Sequence, residues 1–440
     1  MVDVSIFSDS HIGYWLNGRV PEVISGICND TRALSENDCF LAIKTSSRDG
    51  NDFLSDAKDK GASCAIVSKF DEQVDLPQYV CDDTLRAIDE LAKYSRSRYT
   101  GKVIAITGSY GKTSTREILK LLLGIKNNVP SGNKNGQLGI PMMLCSLSND
   151  EQFAIIEIGV DQIGSIDGLI GMVRPNIGIV TGITKCHMFG FGDEESAANE
   201  KCKLVAACSV NGGVSIFNED CLRFESFKIY EKNSIVVENS SENFGPKIKL
   251  VGDRYESTIQ FMGDIFKFVM PPLMSFGVAQ NFMLAATCAM YCGVSAIDIQ
   301  NRISSWVPYK MRGEVVAVGD RNYFIDCYNA NPVSFVDSLL NFNRLFNANN
   351  RLFILGSLTK YEVGDDFVDE NLKILHLNIF KPDDQVILIG ESADKIVQAS
   401  GMEHVIPVHV SNEALRFIEN FKGDVYIKGH RSYKLEQLIV

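Results

Sequence analysis

The sequence predicts an α/β protein of three domains, in which a central P-loop-type parallel sheet is flanked by a small N-terminal α/β domain and a C-terminal Rossmann-like domain. Three observations predict it. An apolar strand runs into a glycine-bearing turn and then a helix over residues 103–123, VIAITGSYGKTSTREILKLLL. Continuous apolar runs of about four to six residues recur between helix-length segments, the mark of strands buried on both faces of a parallel sheet. The length, 440 residues, exceeds what one hydrophobic core normally serves and corresponds to about three domains. The expected spans are 1–100, 101–311 and 312–440.

Composition narrows the function classes. With 45% hydrophobic and 22% charged residues and no low-complexity tract, the chain can bury sizeable cores. A net charge of −12 with no dense Lys/Arg cluster argues against nucleic acid as a partner. No apolar run approaches the ~18–20 residues that span a bilayer, and the N-terminus lacks a basic segment followed by an apolar one. The expectation is therefore a cytoplasmic protein with no membrane insertion; that it is a monomer is a separate expectation, which no sequence feature carries. Twelve cysteines appear without C-x-x-C or Cys/His zinc spacing, many in apolar contexts, and read as buried reduced thiols.

In chain order, strands are expected at 39–43 and 64–67 with a helix at 53–60 between them. The polar clusters NDTR (29–32) and RDGNDF (48–53) stand in the same domain. The turn TGSYGKTS (107–114) is the chemical centre. Unpaired N–H groups at a helix N-terminus cradle phosphate oxygens, Lys112 adds a point charge, and Thr113 or Ser114 offers a hydroxyl to Mg²⁺. A full Walker pattern would need glycine where Ile106 stands, so this is a shorter loop carrying Gly108 and Gly111. Further strands are expected at 154–159 and 176–183, with Glu157 near the end of one and His187 just beyond the other. Both then face the phosphate-bearing edge of the sheet.

An ionised carboxylate inside IIEIG is costly unless it is salt-bridged or binds a metal, and both readings stay open for Glu157. His187 reads either as a metal ligand or as a hydrogen-bonded loop histidine. Lys201 and Lys203 lie on an expected helix at 194–208, where the residues alone place them in solvent. Residues 213–270 look β-rich and hairpin-like throughout, with VSIFN, SIVVEN, KIKLVG, STIQFM and IFKFVM, before a helix at 281–291. Strand-like runs then recur from VVAV to VYIKG, with YNANP (328–332) in a loop after a strand ending at Asp326. No G-x-G-x-x-G occurs there, so no dinucleotide is assigned.

Order and spacing together resemble the Mur ligase family over essentially the whole chain. The carriers are NDTR and DGNDF; TGSYGKTS, GNKNGQLGIP (132–141), EIGVDQIGSI (157–166), HMFGFG (187–192) and the N-x-x-x-A-A beginning at Asn281; then MRGE, DCYNANP and KGHRSYKLE (428–436). The resemblance implies a UDP-sugar-binding N-terminal domain, a central ATPase and a mobile C-terminal domain that closes over it. It also implies an ATP-dependent amide-bond ligase in peptidoglycan precursor synthesis, adding D-alanyl-D-alanine to UDP-N-acetylmuramoyl-tripeptide through an acyl phosphate.

By the same resemblance, Gly108, Ser109, Tyr110, Gly111, Lys112, Thr113 and Ser114 hold ATP, with Asn281 on the adenine side. Arg312 and Asp326 reach the nucleotide from the C-terminal domain. Thr113 and Glu157 ligate one Mg²⁺, and His187 with a carbamylated Lys201 a second. Asp30, Thr31 and Arg32 lie near the uridine nucleotide, Asn133 and Asn135 bind substrate, and Asn329, Asn331 and Lys428 take the dipeptide. The chain departs from the family pattern at Gly182, where asparagine is usual, at Gly277, where histidine is usual, and at Asp161-Gln162-Ile163 and Leu355-Gly356-Ser357-Leu358. Two alternatives remain: a related ligase for another amine or acceptor, and a catalytically silent nucleotide-binding paralogue.

Overall fold

The computed structural model of the chain describes residues 1–16, 19–125, 135–238, 240–241, 245–346 and 350–440. Its centre is a parallel sheet of five strands in the order Ser234–Val237, Val214–Asn218, Ile177–Val180, Lys102–Thr107, Phe153–Glu157. From Lys102–Thr107 the chain first adds Phe153–Glu157 on one side and then Ile177–Val180 on the other. That reversal opens a crevice at the carboxyl ends of the three strands, where open α/β sheets bind ligands. The helix Lys112–Leu123 leaves from it and packs on Phe276–Tyr291, whose Ala285, Ala286 and Ala289 are buried and permit close approach.

One expectation for this region is corrected. VSIFN and SIVVEN are not hairpin strands; they extend the central sheet in parallel. The intervening residues form helical turns, Glu219–Arg223 and Glu225–Lys228, and supply the crossover that a parallel pair requires. Ile248–Val251, Arg254–Phe261 and Asp264–Val269 form an antiparallel meander, and Ser240–Ser241 pairs antiparallel with Gly245–Pro246.

The N-terminal sheet runs Tyr14–Trp15, Gln78–Val80, Cys64–Val67, Cys39–Leu41, Ile27–Cys28, parallel except for its first pair. Its core is continuous with one face of the central sheet, through residues such as Tyr79, Leu91, Leu144 and Ile156. Buried Arg96, near the end of helix Thr84–Arg98, donates to the carbonyls of Val173 and Arg174 at 2.7 and 2.8 Å, satisfying the C-terminus of helix Ser165–Val173. The C-terminal sheet has six strands in the order Glu314–Val318, Arg321–Asp326, Gly423–Lys428, Arg351–Gly356, Gln385–Ile389, Val405–Val408. Only its first pair is antiparallel. The last strand in sequence inserts between the second and third, which sets Asp326 beside Lys428 in register. Eleven of the twelve cysteines are buried, and all are free.

The C-terminal domain holds one fully buried ion pair. Arg351 and Asp384 have side chains 0% and 1% exposed, and Arg351 also donates to Asn343 Oδ1 and the Ile379 carbonyl. Removing one partner leaves an uncompensated buried charge, so Arg351→Met should lower unfolding stability by about 3–5 kcal/mol. The double variant Arg351→Met/Asp384→Leu should recover much of that loss, and urea unfolding of the three proteins checks both.

Candidate functional site

The site begins at the end of strand Lys102–Thr107. Gly108 and Gly111 have φ of 146° and 76°, a left-handed region that favours glycine. A Cβ at Gly108 would strike Thr181 Oγ1, and one at Gly111 would strike Asn281 Oδ1. Helix Lys112–Leu123 starts at Gly111 with no side-chain cap, leaving its first N–H groups available to an anion. Lys112 Nζ curls back to the Gly108 carbonyl at 2.7 Å. Beside it, the Ser109 N–H donates to the Gly182 carbonyl at 2.8 Å, and the Ser109 hydroxyl is buried without a partner.

Glu157 ends the neighbouring strand, 4% exposed. Its two oxygens accept from Thr113 Oγ1 and Asn135 Nδ2, each at 2.9 Å, and Arg116 Nη1 stands 3.4 Å away. Burial opposes its ionisation, but Lys112 and Arg116, with the Asn135 and Thr113 hydrogen bonds, outweigh that and hold the carboxyl below its ordinary value. Both readings of Glu157 therefore coexist: it is salt-bridged, and it presents an anion beside a hydroxyl. Arg116 escaped sequence reasoning, although its position one helical turn beyond Lys112 was the signal that could have found it.

His187 opens the short helix Met188–Phe191 in a left-handed conformation, φ 57°. Its Nδ1 is buried without a hydrogen-bond partner. Burial, then the charges of Lys112 and Lys201, pull its pKa down to about 4, so the ring is neutral and able to ligate a metal at physiological pH. Lys201 is not in solvent, as its residue type alone suggested; it is 2% exposed, with Nζ 4.1 Å from the centre of the Phe191 ring. Burial, then Lys112, lowers its pKa to about 7. Lys203, by contrast, is partly exposed and pairs with exposed Asp167 and buried Glu200.

The C-terminal domain reaches the same turn. Arg312 Nη2 donates to Thr113 Oγ1 at 3.0 Å, and its guanidinium lies 4.4 Å from the centre of the Tyr328 ring. A cavity of about 360 Å³ results, with Ser109, Lys112, Thr113, Asn135, Glu157, His187, Arg312 and Asn329 among its walls. A second, on the other side of Gly111, is lined by Tyr110, Ser114, Asn281, Asp326, Asn331 and Lys428. Lys428 is 1% exposed, donating to Asp326 Oδ2 at 2.7 Å and the Asn329 carbonyl at 3.3 Å. Asn331 Oδ1 caps helix Pro332–Leu345 by accepting from Ser334 N, and Asn329 Oδ1 accepts from Ala330 N.

Asp30, Thr31 and Arg32 are not among the residues lining either cavity. Arg32 donates to Asp30 from its backbone N–H and its guanidinium, and these bonds draw the Asp30 pKa down to about 2. Asn133 lies outside the described residues. Two departures find local compensation. A Cβ at Gly182 would meet the Tyr110 hydroxyl at 2.5 Å, so the tyrosine ring occupies the space next to it. At Gly277 the N–H donates to Asp337 of the C-terminal domain at 2.8 Å, and the Ser275 hydroxyl does so at 2.6 Å.

Among the described residues no three His, Cys, Asp or Glu side chains converge as a metal cluster. One carboxylate beside a hydroxyl on a phosphate-binding turn nevertheless suits Mg²⁺. That ion keeps several waters and completes its shell with substrate phosphate oxygens.

A parallel sheet with a phosphate-type turn at its switch point, closed by a second sheet that brings an arginine to that turn, defines a P-loop-type nucleotide-binding architecture. A model of the Mur ligase middle domain matches residues 106–289. The UDP-N-acetylmuramoyl-tripeptide–D-alanyl-D-alanine ligase of Synechocystis is 30% identical over 351 residues, covering 78% of this chain and 74% of that protein. The Escherichia coli protein of the same name is 26% identical over 440 residues, covering 96% and 95%. The crystal structure of MurF from Acinetobacter baumannii superposes with a TM-score of 0.80 at 25% identity, covering 100% of this chain and 98% of that one. The chain belongs to the Mur ligase family.

The burial of Lys201 carries a signed pH dependence. Its pKa falls from 10.5 in the unfolded chain to about 7 when folded. Between those values the unfolded state holds a proton that the folded state has lost, so the cost of burying this group is full below about pH 7 and is relieved as pH rises. In CO₂-free buffer, Lys201→Met should be more stable than the parent at pH 6–7, on the order of a few kcal/mol. It should also lack the parent's gain between pH 7 and pH 9, as urea unfolding at the two pH values would show.

Proposed function

We propose that this chain is a cytoplasmic ATP-dependent amide-bond ligase that joins D-alanyl-D-alanine to the terminal carboxylate of UDP-N-acetylmuramoyl-tripeptide in peptidoglycan precursor synthesis. The observation that carries the reading is the convergence of Lys112, Glu157, His187 and Arg312 on one cavity between two domains, in a chain whose likeness to ligases of that name extends nearly end to end. The chemistry accounts for the residue types. A carboxylate is a poor electrophile until one of its oxygens becomes part of a leaving group.

In the first step a substrate carboxylate oxygen attacks the γ-phosphorus of ATP, the bond to the β-phosphate oxygen breaks, and ADP departs. In the second the dipeptide amine attacks the acyl carbon of the acyl phosphate. The tetrahedral adduct loses inorganic phosphate and a proton to give the amide. Little covalent work falls to the protein; it holds anions close and neutralises developing charge. Lys112 and the uncapped helix N-terminus hold the β- and γ-phosphates, and Arg312 adds a planar donor beside them. Glu157 and Thr113 would hold one Mg²⁺, and His187 with a carbamylated Lys201 a second, and such ions would supply further neutralisation of phosphate charge.

The low pKa of Lys201 leaves a neutral amine fraction near pH 7, which can add CO₂ and release a proton, turning a buried cation into an oxygen ligand. Asn281 and Asp326 face the nucleoside side of the cleft. Asn329, Asn331 and Lys428, on the C-terminal wall, would take the dipeptide; Asn331 and Lys428 share the cavity of Asn281 and Asp326, and Asn329 also reaches the one at the turn. The uridine nucleotide belongs to the N-terminal domain near Asp30, Thr31 and Arg32.

Phosphate release should require ATP, the UDP-linked tripeptide and D-Ala-D-Ala together, and a malachite green assay reads it directly. Phosphate with a different amine but none with the dipeptide would identify a related ligase of other specificity; none with any amine would point to a silent paralogue. Lys112→Ala should cost at least about 100-fold in kcat by removing a donor from the transferring phosphoryl group. Near-parental turnover in that variant would end the argument from the turn.

A further inference from the structure

The cavity at the turn presents Lys112, Arg312 and Arg431, and among the described residues none of the three has a carboxylate within ion-pair distance. Lys112 and Arg312 are accounted for by phosphate. Arg431 has no task in the mechanism above. Its placement is nevertheless fixed by the local fold. Strand Gly423–Lys428 ends at Gly429, where a Cβ would meet Leu435 Cδ1 at 2.7 Å and Gly356 Cα at 3.1 Å, so only glycine lets the chain turn there at this distance from its neighbour. The chain then enters the short helix Arg431–Tyr433, and the Arg431 N–H donates to the Tyr328 carbonyl at 3.2 Å. That bond ties the two loops together and leaves the guanidinium over the Tyr328 ring, 5.9 Å from its centre, with Nη1 3.3 Å from the hydroxyl.

Arg312 uses the same ring, at 4.4 Å. Two guanidinium groups sharing one aromatic side chain without a counter-ion repel each other, and the repulsion is relieved when an anion enters between the domains. The neighbouring cations do not compete for that anion. Lys428 is already paired with Asp326 at 2.7 Å. His430 is held below its ordinary pKa by burial and then by Arg431 itself, so it carries no charge at neutral pH.

The identity of the anion follows from position. The phosphates belong to the turn and its helix N-terminus, on the central domain. Arg431 stands on the C-terminal domain, beside Asn329, where the amine component enters. A dipeptide brings one anionic group that takes no part in the reaction, its C-terminal carboxylate, and a guanidinium is the planar fork that matches a carboxylate bidentately. Resting on the function proposed above, we infer that Arg431 binds the unreacting C-terminal carboxylate of the incoming dipeptide and makes that carboxylate a condition of acceptance. Arg431 is thus a specificity-determining residue, and Tyr328 positions it.

The test is steady-state kinetics of the parent, Arg431→Ala and Arg431→Lys, each with D-Ala-D-Ala and with its C-terminal amide. The parent should favour the acid over the amide by about 10- to 100-fold in kcat/KM, the range of a charge-assisted hydrogen bond. Arg431→Ala should raise KM for the dipeptide by a similar factor, leave KM for ATP and for the UDP-linked tripeptide within about twofold, and lose the preference for the acid. Arg431→Lys, which keeps the charge but not the fork, should recover part of that preference. Arg431 is exposed, so its replacement leaves the core intact, and a parental melting temperature verifies this for both variants. An Arg431→Ala enzyme that still prefers the acid as the parent does, or that loses affinity for ATP instead, overturns the assignment while leaving the ligase reading in place. A parent enzyme with no turnover of D-Ala-D-Ala overturns both.

Discussion

One hydroxyl couples the two domains around the cleft. Thr113 Oγ1 donates to Glu157 and accepts from Arg312, at 2.9 and 3.0 Å, so the first turn of the P-loop helix, the end of the neighbouring strand and the C-terminal domain meet at a single atom. The rest of the site depends on where that atom sits. Its place is fixed by Gly108 and Gly111, whose left-handed φ values let the chain leave the strand and enter the helix within four residues. Asn281, pressed against Gly111 from the adjacent helix, closes the space that any side chain there would need. The turn is shaped less by its own sequence than by what is packed on both sides of it.

Charge explains why the cleft can serve anionic ligands in a chain of net charge −12. Surface charges act through water and are screened within about 10 Å at ordinary ionic strength, whereas Lys112 and Arg312 stand in a partly dehydrated wall, with Lys201 buried behind it, where each is felt more strongly. Their effect is visible on their neighbours: Lys112 and Lys201 help keep His187 unprotonated, and Lys112 helps keep Glu157 ionised. A mutually repelling set of cations with one well-held carboxylate costs stability in the absence of a ligand. It is the arrangement expected where phosphate is to be bound and moved.

Much of the fold was legible because buried parallel strands announce themselves as apolar runs, and VIAIT, AII and LFILG are such runs. Strands Val214–Asn218 and Ser234–Val237 were misjudged because apolar content does not distinguish a parallel partner from a hairpin partner. The crossover between them consists of short helical turns with little periodicity. For the site, the turn and Glu157 could be read from residue type, since glycine, lysine and a carboxylate among aliphatics each need a reason. Lys201 could not. On an alternation of small and charged residues, its burial follows from packing beside Phe191, and only the family resemblance singled it out. Arg116 and Arg431 were missed for a related reason: each acts on a residue brought near by the fold, Glu157 in one case and Tyr328 in the other.

The seam between the domains determines how a reactive acyl phosphate would survive. Such an intermediate is lost if water reaches it before the amine does, so the cleft must be closed during the reaction and open for exchange. The closing contacts are of two kinds. At one side Lys185 pairs with Asp366 and Glu370 near the surface, a contact of small net value. At the other, Asp337 accepts from Ser275 and Gly277 at the start of helix Phe276–Tyr291, where the helix dipole favours a carboxylate, and Arg344 donates to the Pro272 and Met274 carbonyls just before it. That helix also carries Asn281, so the C-terminal domain is bonded to the same element that presses on the turn. Arg312 meets Thr113 while Asp337 meets the start of that helix, so the contacts that close the cleft and those that set the turn run through one element. A domain that docked by surface charge alone would close the cleft but leave the turn untouched.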